Sequence, residues 1–367
     1  MSATSTTRKT LWWLRLGLVA GSALVLVTAL ATFLGVRASI AEVRERTAPA
    51  VTEVSLAKEA LVAAHGAAVA AFEHGHARLT GPSEQYEDEI ALAGQQLAQV
   101  AEHNAAGEQG SQTLRLIEGL LPAYNSVIGQ AGAHFRQDNG GALAASDLQS
   151  AADLLTAKEN GILARLDTLA VAQRAALDRQ LGTDWLDPAI TLLWAVPVLL
   201  LLVLLIRTQR FLARRFRRTV NSALLAATAA LVVLGAGTAL LLGVQSGARD
   251  SGAVLERTVD ARSAATTTAA GQAQASLARV LVTSCRTGGV AACGDTVDAF
   301  VAATASPPEG PPAADIDEPA LPGLTEPGWN GLLGYGIPVL AGGIGVLAAG
   351  GLQPRLDEYR FRGARSR

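Results

Sequence analysis

Few residues of this chain could do chemistry, and the sequence groups none of them into a catalytic set. It contains no Walker-type phosphate loop, no His-Glu-x-x-His motif, no Gly-x-Ser-x-Gly elbow and no set of protein-kinase motifs. Acyl and phosphoryl transfer need a nucleophile, a base and oxyanion donors that can be named together. We therefore expect a protein that is not an enzyme, with no cofactor, no catalytic residue and no nucleic-acid partner.

A His-x-His pair, His74 and His76, follows Glu73 at the end of a predicted helix. A spacing of two places the imidazoles on different helical faces, so only a frayed turn could bring both to one metal ion. Solvated polar residues at a helix tip are the preferred interpretation, and no metal site is predicted.

Two cations, Lys158 and Arg165, fall at or beside the apolar seam of a later predicted helix. Cations near a helix interface could bind a ligand carboxylate through charge-assisted hydrogen bonds. Alternatively, both side chains extend to solvent or pair with acids on a neighbouring helix. We take Lys158 and Arg165 as the candidate ligand-binding residues.

Cys285 and Cys293 are the only cysteines, and both fall in a segment predicted to lie outside the cell. An even pair in that compartment indicates a disulfide. The pair flanks Gly288 and Gly289, so it would close the tip of a helix–turn–helix. A ring this short stabilises the fold by about 2 to 3 kcal/mol in the loop-entropy model. A structural disulfide is preferred over a redox switch.

An arginine cluster lies between two long apolar stretches and indicates the cytoplasmic side of a membrane. It comprises Arg207, Arg210, Arg214, Arg215, Arg217 and Arg218. Phe211 and Phe216 give the cluster an apolar edge. Two uses are open: contact with anionic lipid, at about 1 kcal/mol per residue, or docking of an acidic cytoplasmic partner.

Four apolar stretches are each long enough to cross the ~30 Å hydrocarbon core of a bilayer: residues 16–36, 188–206, 220–244 and 331–352. With the basic loop 207–219 inside, the ends 1–15 and 353–367 also lie in the cytoplasm, and both are basic. A cleaved signal peptide is the alternative for the first stretch, but its length favours an uncleaved anchor. We expect a multi-pass protein of the plasma membrane in contact with its lipids.

Residues 37–187 hold four heptad-like apolar seams separated by breaks at Gly81-Pro82, Gly107 to Gly110 and Asp138 to Gly141. Short connections between antiparallel helices predict an extracytoplasmic four-helix bundle with coiled-coil-like packing. Its first and last helices are expected to be long, ~40 residues each, and the inner two shorter. The expected fold class is all-α.

Residues 245–305 predict a second, smaller helical domain outside the membrane, with a Pro-rich linker at 306–330. Whether the two outside domains pack together is open, and so is a homo-oligomer.

The layout of residues 16–206, a span, a four-helix bundle and a second span, resembles the ligand-sensing module of bacterial chemoreceptors and sensor kinases. The chain departs from that family after Ile206, where no HAMP linker, methylated coiled coil or kinase domain follows.

The whole four-span layout, with the tail from Arg355 to Arg360, is similar to an actinobacterial membrane protein family. Members of that family are associated with a glutamate-binding lipoprotein outside and the soluble Ser/Thr protein kinase G inside. The resemblance implies amino-acid sensing relayed across the membrane.

The expected function is therefore reception and signal transduction without catalysis, through a separate cytoplasmic protein that detects the change. The alternative is a structural or assembly scaffold of the cell envelope with no ligand-driven change.

Overall fold

The computed structural model describes residues 5–75, 77, 83–137, 141–181, 188–216, 222–287, 295–304, 336, 339–347 and 350. Over these residues the protein is helical and contains no strand, as the all-α prediction requires. The helices are α1 (Ser5–Glu42), α2 (Ala48–Glu73), α3 (Glu84–His103), α4 (Gly107–Gln137), α5 (Ala142–Thr156), α6 (Ile162–Leu181), α7 (Pro188–Phe216), α8 (Ser222–Thr287) and α9 (Asp295–Thr304). A π-helical turn, Val43–Thr47, joins α1 to α2, and residues 339–347 are also helical.

The chain divides into two compact units. The apolar unit comprises Met1–Ala41, Thr183–Asp250 and Pro322–Arg367, and the large unit comprises Glu42–Gly182 and Ser251–Leu321. Helix α8 contributes residues to both units.

The apolar unit carries large apolar side chains on its outer surface as well as in its core. Its buried side chains come from α1, α7, the start of α8 and residues 339–347, and include Leu18, Phe33, Leu201, Leu224 and Ile344. Within the described residues, all but four of the exposed large apolar side chains belong to this unit. A contiguous apolar surface of this size indicates contact with lipid or protein rather than water.

Hydroxyl groups inside the apolar unit are satisfied by their own helices. Ser22 donates to the carbonyl oxygen of Leu18 at 2.6 Å, and Thr208 donates to that of Leu204 at 2.7 Å. These bonds pair the hydroxyls without water, which an apolar environment requires.

Two helical stretches among the described residues are long and apolar enough to cross a membrane: Trp12–Gly35 and Val43–Glu73. The first coincides with the predicted span 16–36. The second is mostly buried within the large unit and carries Glu53, Lys58 and Glu59, which would be costly in lipid. We therefore assign Val43–Glu73 to the large unit. The other predicted spans stay predictions.

The large unit is built around one apolar core to which α2 to α6 all contribute. Helix α2 packs closely on α3 and α6, and α4 packs on α5 and α6. Alanines on α2 permit this close approach, because Ala57, Ala64 and Ala68 are fully buried and their small side chains shorten the distance between helix axes.

The second predicted outside segment belongs to the same core. Leu277, Val280 and Leu281 of α8 are buried with the side chains of α2 to α6, and Val297 and Phe300 of α9 pack against them. The two outside segments therefore form one unit, which answers a question that the sequence left open.

The last helix of the bundle was predicted to be continuous, and this prediction is wrong. Instead of one helix, α5 has 15 residues and α6 has 20, with a break between Thr156 and Ile162. Gly161 accounts for the break, since a Cβ atom there would lie 2.5 Å from the carbonyl oxygen of Ala157. Only glycine permits so close a backbone approach.

Two predicted connections are also helical. Residues 207–216 were expected in a loop, but α7 continues through them to Phe216. The predicted boundary near residue 245 lies inside α8, a single helix of 66 residues. Charge patterning predicts a side of the membrane for these residues but does not predict that their backbone is helical.

Candidate functional site

A cluster of four polar side chains, three of them buried, lies where α2, α3 and α4 meet in the large unit. We call it the tyrosine–histidine cluster: His65, Tyr86, Tyr124 and Asn125. The Nδ1 atom of His65 lies 3.2 Å from the hydroxyl of Tyr124, and the hydroxyl of Tyr86 donates to Oδ1 of Asn125 at 3.0 Å. These bonds link α2 to α4 and α3 to α4.

Burial keeps this cluster uncharged. Desolvation lowers the pKa of His65 from 6.5 to about 4, so its imidazole is neutral at physiological pH. Desolvation also raises the pKa of Tyr86, with a smaller contribution from Glu87, and raises that of Tyr124, with a smaller contribution from Tyr86. The cluster can therefore exchange hydrogen bonds but offers no charge to a ligand.

One hydrogen-bonding atom of the cluster is unsatisfied. Within the part of the chain that the structure describes, Nε2 of His65 is buried and has no hydrogen-bond partner. If Tyr124 donates to Nδ1, the proton of the neutral ring resides on this unsatisfied Nε2. A buried unpaired donor costs about 1 to 3 kcal/mol, so this Nε2 atom lowers the stability of the folded core.

A second polar network links α2, α3 and α6. The Nδ1 atom of His103 lies 2.8 and 3.0 Å from the two carboxylate oxygens of Glu53. Gln173, fully buried, donates to Oδ1 of Asn104 at 2.9 Å and accepts from the backbone N–H of Ala105 at 3.1 Å. Burial raises the pKa of the Glu53 carboxyl, although the hydrogen bond and charge of His103 act in the opposite direction.

Ion pairs connect α8 to the rest of the large unit. Arg174 lies 3.0 Å from Asp260, Arg262 lies 3.6 Å from Glu59, and Arg279 lies 2.8 Å from Glu73. Most of these side chains are partly solvated, so each pair adds little stability by itself. Their joint effect is to fix the position of α8 along α2 and α6.

Of the predicted ligand-binding residues, one lies in the break between α5 and α6 and the other lies just after it. Lys158 is exposed within the break, and Arg165 is half-buried in the first turn of α6. Nε of Arg165 donates to the backbone carbonyl of Asn160 at 3.3 Å. Neither residue belongs to the two buried polar networks, and ligand binding by them stays a prediction.

The arginine cluster is described only in part. Arg207 and Arg210 are exposed on α7, while Phe211, Arg214, Arg215 and Phe216 are helical. Arg217 and Arg218 lie outside the described residues. Beside the cluster, Gln209 donates to the carbonyl oxygen of Leu224 at 3.1 Å and to Thr228 at 2.9 Å, which joins α7 to α8.

Two further predictions reach residues outside the described part. Cys285 lies in the last turn of α8, but Cys293 is not among the described residues, so the disulfide stays a prediction. His74 follows the end of α2, and its ring lies 2.8 Å from the carbonyl oxygen of Ala70, whereas His76 is not described. The described residues contain no group of three side chains that could hold a metal ion.

Sequence reasoning missed the polar character of the core. Tyr86 and Tyr124 were placed on the predicted seams as packing residues, whereas His65 and Gln173 were not singled out. The available signal was the occurrence of single polar residues on helical faces otherwise filled by alanine and leucine.

One helical unit carries apolar side chains on its outer surface, and the other helical unit has a buried core of its own. Together they indicate a membrane protein with a folded helical domain. Residues 39–182, which include the whole first part of the large unit, Glu42–Gly182, match the family model described as "Actinobacterial sensor domain". This match supports an actinobacterial sensor protein. No curated protein and no solved structure matches the chain. The match ends before α8, whose Leu277 and Leu281 share the core of the same unit.

Replacing Tyr124 by phenylalanine should lower the free energy of unfolding by about 1 to 2 kcal/mol, because Nδ1 of His65 then loses its partner in the core. Chemical denaturation of the full chain in nanodiscs would measure this. Tyr86→Phe is the matched control, with an expected effect under about 1 kcal/mol because Asn125 is only half-buried and water can reach it. Equal losses in the two variants would contradict this account of the cluster.

Proposed function

We propose that the chain is a non-enzymatic sensor of the plasma membrane that relays an extracytoplasmic stimulus to a separate cytoplasmic protein. The observation that carries the proposal is the sensor-domain match over residues 39–182, which falls in the large unit. In this proposal α2 to α6 are an extracytoplasmic four-helix bundle, with α5 and α6 together as its last helix.

Four membrane spans are part of the proposal, with both termini in the cytoplasm. Support comes from the core of the apolar unit, which gathers four segments: α1, α7, the start of α8 and residues 339–347. Further support comes from the arginines that follow residue 206 and from those in the tail, which favour the cytoplasmic side.

The stimulus in this proposal is a small solute such as an amino acid, bound directly or presented by a solute-binding lipoprotein. Lys158 and Arg165 are the proposed contacts for its carboxylate, because they lie within and just after the break between α5 and α6. The tyrosine–histidine cluster has no charge for such a group. Its hydrogen bonds instead couple α2, α3 and α4, so that displacement of one helix also displaces the others.

The output in this proposal is contact with a Ser/Thr kinase or another regulator through the arginine cluster and the basic tail. These segments carry several arginines, a charge that suits an acidic partner. Movement of packed helices by small sliding or rotation is an established way to transmit such a signal.

A ligand screen tests the proposal. Single amino acids would be added to the full chain in nanodiscs, and thermal unfolding of the large unit would be recorded. A ligand at 100 times its dissociation constant should stabilise the protein by about 2.7 kcal/mol. Lys158→Ala with Arg165→Ala should abolish that shift, whereas Arg179→Ala, an exposed arginine near the other end of α6, should preserve it.

An unchanged shift in the double variant would contradict the proposed contacts. Capture experiments with the segment 207–218 and the tail test the output. Recovery of a specific kinase or regulator would support transduction. Recovery of envelope proteins alone would favour the scaffold.

A further inference from the structure

The helix that enters the large unit contains a π-helical turn, Val43–Thr47, which begins two residues after the boundary of the unit at Ala41. The backbone N–H of Ala48 donates to the carbonyl oxygen of Val43, five residues back instead of the usual four. Such a turn holds one residue more than a regular α-helix needs, and π-turns inside helices often mark functional sites.

Pro49 explains why the turn occurs at this place. Proline lacks the N–H that a regular helix would use here, and its ring would clash with the carbonyl group four residues earlier, that of Glu45. Widening the preceding turn relieves that clash, so Pro49 favours the π-turn over a regular helix.

The turn is also held by its neighbours in the large unit. Val43 and Thr47 are buried, whereas Arg44, Glu45 and Arg46 are exposed. The hydroxyl of Thr47 donates to Oε1 of Gln180 near the end of α6 at 2.5 Å. Helix α6 begins beside Arg165 and ends beside this bond, so it connects the proposed ligand contacts to the turn.

We infer that Val43–Thr47 is a register switch. When α6 shifts and Gln180 releases Thr47, the π-turn converts to a regular helix, and the register of the helix changes by one residue. One residue corresponds to a translation of about 1.5 Å and a rotation of about 100°. The purpose of the switch rests on the proposed sensor function, but its existence does not.

Three variants of the full chain test the switch by amide hydrogen exchange in nanodiscs, with no stimulus added. The locking variant combines deletion of Glu45 with Pro49→Ala, which removes both the extra residue and the clash. Its matched control combines deletion of Ser55, in the regular part of α2, with Pro49→Ala. The third variant, Thr47→Val, keeps the side-chain shape but removes the bond to Gln180.

In the locking variant, amides 42–50 should exchange at least about tenfold more slowly, while α3 to α6 keep their protection, because the flanking helices retain their register. The control should lose protection throughout α2 and α3, because its deletion turns core positions by about 100°. Thr47→Val should slow exchange of the same amides, by less than the locking variant does, because loss of the bond to Gln180 shifts the turn toward the regular helix.

Loss of α2 and α3 protection in the locking variant, as in the control, would overturn the inference, and so would unchanged exchange of amides 42–50. Failure of the ligand screen would instead count against the proposed function, so the two tests fail separately.

Discussion

Replacing Leu277 by alanine should lower the free energy of unfolding of the large unit by about 2 to 5 kcal/mol, the usual cost of truncating a fully buried leucine. Leu277 lies on α8, more than ninety residues after the matched sensor segment ends, and its side chain is completely buried. The same buried core includes Leu61 and Ile128 of the matched segment.

The informative readout is where the stability is lost. Because α8 shares its core with α2 to α6, hydrogen exchange should accelerate in α2 and α3 as well as in α8. Leu116→Ala is the matched control: Leu116 is half exposed on α4, and its truncation should change stability by less than about 0.5 kcal/mol. Faster exchange confined to α8 would show that the two outside segments are independent.

Acidification should destabilise the large unit through His65. The pKa of this histidine falls from 6.5 to about 4 on folding, because burial disfavours the charged ring. Between these two pH values the unfolded chain binds more protons than the folded chain, so the free energy of unfolding decreases as the pH falls. The full loss corresponds to about 3 kcal/mol, since one pKa unit is about 1.4 kcal/mol.

His65→Asn isolates this contribution, since its amide takes the place of Nδ1 opposite Tyr124 but does not titrate. Other groups titrate in both proteins and cancel in the difference. Among them is Glu53, whose raised pKa acts in the opposite direction. Unfolding of wild type and variant would be measured in nanodiscs from pH 7 to pH 4. The two profiles should diverge as the pH falls, and parallel profiles would exclude His65 as the cause.

Local patterns in the sequence predicted much of the helical layout. Helix α3 begins at Glu84, just after the predicted break at Gly81-Pro82, and α5 begins at Ala142, just after the turn predicted from Asp138 to Gly141. The seam positions Leu97, Ile128 and Leu166 are buried. These features depend on glycine and proline chemistry and on the 3.6-residue period, which act over a few residues.

Features set by packing over long distances were not predictable in this way. Docking of Leu277 into the core depends on α2 to α6 being assembled first, and nothing near residue 277 indicates it. Gly161 was a single glycine within a periodic stretch, and its effect depends on the backbone of Ala157, whose carbonyl oxygen would lie 2.5 Å from a Cβ atom at position 161. Pro49 can be read directly from the sequence, but proline at the start of a helix is common and does not by itself predict a π-turn.

The candidate site was predictable to a smaller extent. The positions of Tyr86 and Tyr124 on helical seams were correct, but whether their hydroxyls find partners depends on the side chains of other helices. Packing of α2, α3 and α4 brings His65 to Tyr124 and Asn125 to Tyr86. Charge-based predictions for Lys158, Arg165 and the arginine cluster concern ligands and partners that the fold by itself leaves untested.

Labelling of single cysteines in intact cells tests the central claim most directly, that the large unit is a single extracytoplasmic sensing domain. Glu118→Cys on α4 and Glu256→Cys on α8 would be made with both native cysteines replaced by serine, and Arg210→Cys on α7 is their counterpart. All three positions are exposed. A membrane-impermeant maleimide should label positions 118 and 256 in intact cells and position 210 only after permeabilisation. Protection of position 118 or 256 in intact cells, or labelling of position 210 there, would contradict the account.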